Sequence, residues 1–366
     1  MTNAVIVGSG VIGLSIAYQL LECAELRPEK LTIIAAHFPQ DEPISHEFTS
    51  PWAGAHFRPF PHRPETYESD ERESKYTRVT YNIFKRLAAE HPESTIQFMK
   101  GVDLLEDPPV EYKTLGPGYN SDSLEKFRKL DVAELPRNVA FGCEYRTYCL
   151  NAPVYLAFLQ EKVRSLCLAH GTKLLQKRMT LNALKQVYTM FPDCTALFNA
   201  SGQGLQMDGG FDTACFSIRG QTLLLDVPHT TKYDRMTITH QDRLGNWTFV
   251  IKRPTADGSA AQFILGGTKQ PDDFSVMPRD WDSDALMARG RVLFPELMCD
   301  GKFRVARVNV GFRPARRGGS RVEVERSPYG PVIHAYGLGG MGYETSLGVA
   351  THALKLYSST CPAPKL

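Results

Sequence analysis

The sequence predicts an α/β protein in which a Rossmann-like, dinucleotide-binding domain is interrupted by an α+β domain with a mostly antiparallel sheet. Three observations carry this reading. The chain opens on an apolar run, a glycine-rich turn and a helix stripe. Its later middle holds strand-like runs with turn breaks between them, "IRGQTLLLDV", "YDRMTITH", "WTFVIKRP" and "AQFILGG". Its C-terminal part returns to glycine-rich loop, strand and helix. A chain of 366 residues has room for two domains and a sizeable core. Residues 1–58, 142–205 and 305–366 are assigned to the dinucleotide-binding domain. Residues 59–141 and 206–304 are assigned to the substrate-binding domain.

The first element is the most informative. Ala4 to Val7 is an apolar run of the kind found in buried parallel strands. Gly8, Gly10 and Gly13 form G-x-G-x-x-G, with Val11 and Ile12 between them. Leu14, Ala17, Tyr18, Leu20 and Leu21 then make a helix stripe, and Lys30 to Ala36 reads as a second strand. In this setting Gly8 permits a tight turn, Gly10 lets the backbone approach a pyrophosphate, and Gly13 lets helix and strand pack closely. The free N–H groups of the helix face the phosphates. The second strand ends Ala35-Ala36-His37, without the Asp or Glu that usually holds the ribose. The ribose contact is therefore expected from backbone or from His37, and the kind of dinucleotide stays open at this point.

"SHEFTSPWAGAHFRPFPH", from Ser45 to His62, is a polar and aromatic turn region suited to close passage around a flat ligand. "SDERESKYTRVTYNIFKRLAAEHPE" predicts an amphipathic helix or helix pair with Tyr76, Val79, Ile83 and Leu87 on its apolar face. The stretch from Pro109 to Pro136 reads as loops and a short helix. "NAPVYLAFLQEKVRSLCLAHG" is a helix with Asn151 at its cap position and Gly171 closing it. "ALFNASGQG" is a strand that returns the chain to the first domain, and it ends in small residues where ligands lie in such sheets. "DWDSDALMARGRVLFPEL" is a helix, and so is "TSLGVATHALKLY".

Bulk composition excludes several classes. The 42 Lys+Arg against 40 Asp+Glu give a net charge of +2, which does not favour nucleic acid as a partner. No apolar run has the length of a membrane span. The N-terminus lacks the features of a secretory signal. The eight cysteines show no metal-site spacing, so no metal is expected, and they read as reduced thiols.

"NVGFRPARRGGSRVEVERSPYGPVIHAYGLGGMGYETS" crowds Arg313, Arg316, Arg317 and Arg321 beside strand-like runs. That needs an anion, either a ligand or the protein's own carboxylates. "SRVEVERS" alternates, so Arg321, Glu323 and Glu325 are expected on one sheet face.

With "VIVGSGVIGLSIAYQL", "FTSPWAGA", "NASG", "IRGQT", "GFRPARRGG" and "HAYGLGGMGYETSLG" in this order, the chain resembles the D-amino-acid oxidase family of flavoproteins, in its fungal branch. The resemblance implies non-covalently bound FAD. It places the ADP part over Gly8 to Gly13. It places the flavin near Thr49, Ser50, Ala53, Gly54 and Gly202 and along Gly339, Gly340, Met341, Gly342, Tyr343 and Thr345. It implies hydride transfer from the substrate Cα to flavin N5, an imino acid that hydrolyses to a 2-oxo acid and ammonia, and H2O2 from O2. Arg313 matches the arginine that grips the substrate α-carboxylate, a task suited to a planar guanidinium. Gly340 and Tyr336 are further candidates to bind substrate, although Tyr336 also reads as a packed core tyrosine. Arg316, Arg317 and Arg321 read as ion-pair or loop-support residues. Ser346 and Thr345 either meet the flavin edge or cap the last helix.

Departures from the family pattern point to an acidic substrate. Phe249 stands where members acting on neutral D-amino acids carry a tyrosine, and it cannot donate a hydrogen bond. "GGTKQ", with Lys269, is close to the "GGTRQ" of D-aspartate oxidases. Arg243, His56, Arg58 and Lys269, in that order, are candidates to hold a second carboxylate. Lys252 and Arg253 read as surface charges near a strand end. D-Aspartate is the expected substrate, with O2 as the acceptor, ahead of D-glutamate and N-methyl-D-aspartate. The alternatives are an oxidase of neutral D-amino acids and a related flavin-dependent amine dehydrogenase. The family often forms homodimers, and the C-terminal Pro364-Lys365-Leu366 weakly resembles a peroxisomal address.

Overall fold

The computed structural model describes residues 2–255 and 262–360. The Pro364-Lys365-Leu366 signal lies outside the described residues. In chain order the elements begin with β1 (Asn3–Val7), α1 (Val11–Glu22), β2 (Lys30–Ala35), α2 (Tyr67–Glu90) and β3 (Gln97–Leu105). Next come α3 (Val110–Lys113), β4 (Arg128–Lys129), β5 (Phe141–Cys149), α4 (Ala152–His170), β6 (Lys173–Arg178), α5 (Lys185–Met190) and β7 (Ala196–Asn199). Then follow β8 (Cys215–Asp226), β9 (Met236–Gln241), β10 (Trp247–Arg253), β11 (Gln262–Gly266), β12 (Gln270–Pro271) and α6 (Asp280–Leu293). The chain closes with β13 (Val305–Arg316), β14 (Arg321–Ser327), β15 (Gly330–Tyr336) and α7 (Gly342–Thr360).

Two sheets result. The first has six strands in the order β14-β15-β7-β1-β2-β6. Its pairs are parallel except β14–β15. β1 is buried along its whole length, as the apolar run requires. Most of α1 is buried too, because α4 and α7 pack on it as well as the sheet. The second sheet has nine strands in the order β12-β8-β11-β10-β9-β3-β5-β4, with β13 on β8. It is antiparallel except for β3–β9.

The domain boundaries differ from the expected ones at two strands. β5 and β13, assigned by sequence to the dinucleotide domain, belong to the second sheet. β13 pairs with β8 from Val305 to Arg316, with a bulge near its start. This long ladder outweighs chain proximity to the C-terminal glycine loop and carries Arg313 on the second sheet, opposite Ile218.

Helix α2 is one helix, and its buried face differs from the predicted stripe. Tyr76, Thr77, Thr80, Tyr81, Phe84 and Leu87 are buried, whereas Val79 is exposed. The small threonines let α7 approach closely. Gly348 sits against the backbone of Tyr76, and its N–H donates to Thr80 Oγ1 at 3.0 Å. In α4, Gly171 closes the helix at φ 70°, as expected, but Asn151 makes no side-chain cap. Arg253, expected on the surface, is 4% exposed, and Lys252 pairs with Asp234 at 3.6 Å. Among the described residues no helix is long and apolar enough to cross a membrane, and no His/Cys/Asp/Glu cluster could hold a metal ion.

Candidate active site

A cavity of about 980 Å³ runs between the two sheets, at the upper end of the usual size range for ligand pockets. One arm starts at the turn after β1. Gly8 has φ 112°, and a side chain there would overlap the carbonyl of Ala200. A Cβ on Gly13 would overlap the carbonyl of Gly8, so Gly13 serves helix–strand packing and does not line the cavity. Gly8, Gly10, Val11 and Ile12 do line it. The Val11 N–H donates to Ser50 Oγ at 3.1 Å, which ties the N-terminus of α1 to the Thr49–Ala55 turn.

His37 lines the same arm, and its carbonyl accepts from Ser9 Oγ. Its Nε2 lies 3.4 Å from Glu47, which also lines the cavity. The carboxylate missing from the end of β2 is thus offered ten residues later, where no strand-end rule would look for it. Thr49, Ser50, Ala53, Gly54, Gly202 and the run from Gly339 to Tyr343 line the next stretch. Thr49 Oγ1 donates to the Phe312 carbonyl at 2.7 Å. Thr345 and Ser346 do neither of the things proposed for them from sequence. Thr345 donates to the Met341 carbonyl at 2.7 Å and Ser346 to the Tyr343 carbonyl at 2.9 Å, and both are fully buried inside α7. The helix starts at Gly342, so these positions fall within it.

The other arm holds the charged side chains. Arg313 lies flat on Gly220, where a Cβ would come within 2.5 Å of Nη1 and Nη2. Its Nη1 donates to the Thr268 carbonyl at 3.2 Å. Burial alone pushes its pKa down, and among the described residues no carboxylate pairs with it. A half-buried, cavity-facing guanidinium without a counter-charge fits an anionic ligand.

Arg58 lines the same cavity. Its guanidinium stands 4.1 Å from the centroid of the Trp247 ring, and Nε lies 3.4 Å from the fully buried Asp103. Burial opposes its charge, but Asp103 more than offsets that and holds it protonated. Asp103 itself accepts from Tyr119 at 2.7 Å and Tyr145 at 3.2 Å.

His56 is neutral, since burial and then Arg58 push its pKa down to about 3. Thr237 Oγ1 donates to the Val250 carbonyl at 2.7 Å, so at 3.1 Å it accepts from Nδ1–H of His56. Nε2 is left as an acceptor, unsuited to a carboxylate. Phe249 packs its ring on Gly266 and Gly267 and tilts against His56. Lys269 is exposed at the cavity rim.

Two residues assigned to substrate do not serve it. Arg243 is absent from the cavity wall; its side chain is 70% exposed and points to Glu106 at 4.0 Å. It sits in the turn between β9 and β10, at the solvent end of the hairpin. Tyr336 lines the cavity with its ring, but its hydroxyl donates to Asp212 at 2.9 Å and accepts from Arg321 at 2.9 Å. The arginine cluster is thereby divided. Arg316 pairs with Asp212 at 2.9 Å, and Arg321 pairs with Glu323 at 2.7 Å and Glu325 at 2.8 Å. Arg317 stacks on Phe216, and Arg313 alone faces the cavity. Sequence reasoning missed Asp103, Trp247, Thr268 and Glu344. Each comes from a different element, and no local motif joins them.

The family model described as FAD dependent oxidoreductase matches residues 3–356. The chain is 38% identical to a D-aspartate oxidase from Talaromyces thermophilus, over 97% of this chain and 95% of that protein. It is 31% identical to a D-amino-acid oxidase from Schizosaccharomyces pombe, with 97% and 95% covered. Among solved structures, a glycine oxidase from Bacillus cereus superposes with a TM-score of 0.69 at 14% identity, over 99% of this chain and 98% of that one. An L-proline dehydrogenase from P. horikoshii superposes at 0.67 with 15% identity, over 99% and 95%. At such identities the structural likeness shows the fold alone.

Proposed function

The chain belongs to the D-amino-acid oxidase family of FAD dependent oxidoreductases, and from that premise we propose that it oxidises acidic D-amino acids, D-aspartate first. The coarser activity, FAD-dependent oxidative deamination of an amino acid, follows from the family. FAD is held without a covalent bond, and the residues present fit it. Gly8 and Gly10 line the cavity at the N-terminus of α1, and a side chain at either would drive into the Ala200 carbonyl or Ser50 Oγ, so the tight turn beside the cradle needs both glycines. When bound, FAD supplies the acceptor for the hydride that leaves Cα, and O2 takes the electrons on to H2O2.

The chain's own residues bind and orient. Arg313, flat on Gly220 and unpaired, holds the α-carboxylate through its fork. This fixes Cα, and orientation of this kind is the protein's main contribution. His56 Nε2, an acceptor, suits the substrate amine. Phe249 offers an apolar wall and no donor.

The observation that carries the acidic reading is Arg58, a second guanidinium in the wall of the same cavity. It replaces Arg243 as the first candidate for the side-chain carboxylate. A neutral side chain would leave it facing apolar surface, which disfavours such substrates. The 38% identical D-aspartate oxidase supports the same reading. One observation favours the second reading, a pocket for neutral D-amino acids: Asp103 already balances the charge of Arg58. Oxygen uptake with D-aspartate, D-glutamate, D-alanine and L-aspartate at matched concentration separates the two. Turnover confined to the acidic D-amino acids supports the proposal. Fast D-alanine turnover with slow D-aspartate turnover overturns it.

A further inference from the structure

Glu344 is a buried carboxyl that the functions above leave unused. It sits in the first turn of α7, two residues past the glycine run, and lines the cavity. Its Oε2 accepts the backbone N–H of Arg58 at 3.0 Å. Its Oε1 has no hydrogen-bond partner among the described residues and is not sealed by protein atoms, so it opens on the cavity. Position defines what it meets there. Gly342 lies over Val11, at the N-terminus of α1, while Gly340 lies beside the Arg313 side chain. The run that ends at Glu344 therefore spans the cavity from the phosphate cradle to the substrate arginine. A cofactor that reaches from one to the other passes along it.

We infer that the Glu344 carboxyl is a direct contact of the FAD ring system and acts as a proton switch on it. In its neutral form Oε2 keeps accepting from Arg58, so the proton sits on Oε1 and is donated to an acceptor on the ring. In its charged form the same oxygen is an acceptor only, and its negative charge faces the ring. Adding electrons to the ring beside a carboxylate costs more than beside a neutral acid.

The surroundings set where the switch turns. Burial raises the pKa of Glu344 to about 8, against Arg58 and Arg78, with Glu73 adding to the rise. Arg58 stays charged, Arg78 is lowered only to about 10, and the Tyr148 hydroxyl is raised well above its usual value. His56 is neutral throughout this range. Glu344 is thus a wall group that changes charge near pH 8. The inference does not depend on which amino acid is oxidised.

The test uses the purified FAD-loaded enzyme without substrate. Its visible flavin spectrum and its reduction potential are followed from well below to well above pH 8. The expected result is a spectral step centred near that pH, with the potential falling more steeply above it. Glu344→Gln, which keeps an acceptor for the Arg58 N–H, is expected to remove the step and hold the low-pH spectrum. A wild-type titration without a step, or a step that persists in Glu344→Gln, overturns the inference. Redox-difference infrared spectra of the wild type give a readout that needs no variant. A protonated carboxyl stretch that shifts when the flavin is reduced supports the contact, and the absence of any such band below pH 8 overturns it.

Discussion

Arg313 and Arg58 face one cavity with opposite electrostatic histories. Arg313 is half-buried with no counter-charge among the described residues, whereas Arg58 is held between Asp103 and the Trp247 ring. The two should respond differently to removal. Arg313→Met is expected to keep FAD and its spectrum but to lose about 2–5 kcal/mol of substrate binding. That is a fall in kcat/KM of roughly 30-fold or more, read by oxygen uptake. Arg58→Met is expected to raise KM for D-aspartate by at least roughly tenfold, while D-alanine turnover changes little or improves. Equal effects on both substrates would remove Arg58 from the specificity role. Arg243→Ala, at the exposed end of the β9–β10 hairpin, is expected to leave both KM values unchanged.

At the scale of elements, two close approaches hold the site in place. The turn after β1 works because Gly13 lies against the carbonyl of Gly8. α7 reaches the site because Gly348 lies on the backbone of Tyr76 in α2. Gly348→Ala would push the two helices apart at a point where backbone, not a flexible side chain, is in the way. Overpacking of this kind costs about 1–3 kcal/mol, and urea denaturation of the variant would show it. Because α7 starts at the cavity wall, FAD affinity is expected to fall along with stability. A variant of unchanged stability would mean that the helices shift at no cost. Arg253 ties elements differently. Its Nη2 donates weakly to the carbonyls of Pro51 and Ala53, at 3.4 and 3.5 Å, and so holds the Thr49–Ala55 turn on the second sheet.

Over the whole molecule, binding and protonation couple to folding. FAD at a hundred times its Kd stabilises a protein that binds it only when folded by about 2.7 kcal/mol, so the apo-protein should melt below the holo-protein. The apo-protein should also show the cost of Glu344. Its folded pKa is raised from 4.5 to about 8, so the folded state keeps a proton that the unfolded chain releases. That contribution is complete below the lower value and is lost as pH rises through the upper one. Apo Glu344→Gln is therefore expected to gain stability over the wild type as pH rises, levelling off above pH 8; a pH-independent difference in denaturation midpoints would refute this. What was legible from residues alone was whatever depends on near neighbours in the chain. The G-x-G-x-x-G turn and its flanking strand and helix, the Gly171 stop, and the alternating Arg321, Glu323 and Glu325 face all belong to that class. Periodicity and turn chemistry act over a few residues, so the sequence by itself determined these. Contacts between distant segments decided the rest. The long β8–β13 ladder drew Arg313 into the second sheet, and the α2–α7 crossing turned Val79 outward. Hairpin geometry sent Arg243 into solvent, and Asp103 met Arg58 across 45 residues of chain. Burial and partner charge are properties of the assembled core, which is why Glu344 stood unmarked in the sequence and stands out in the fold.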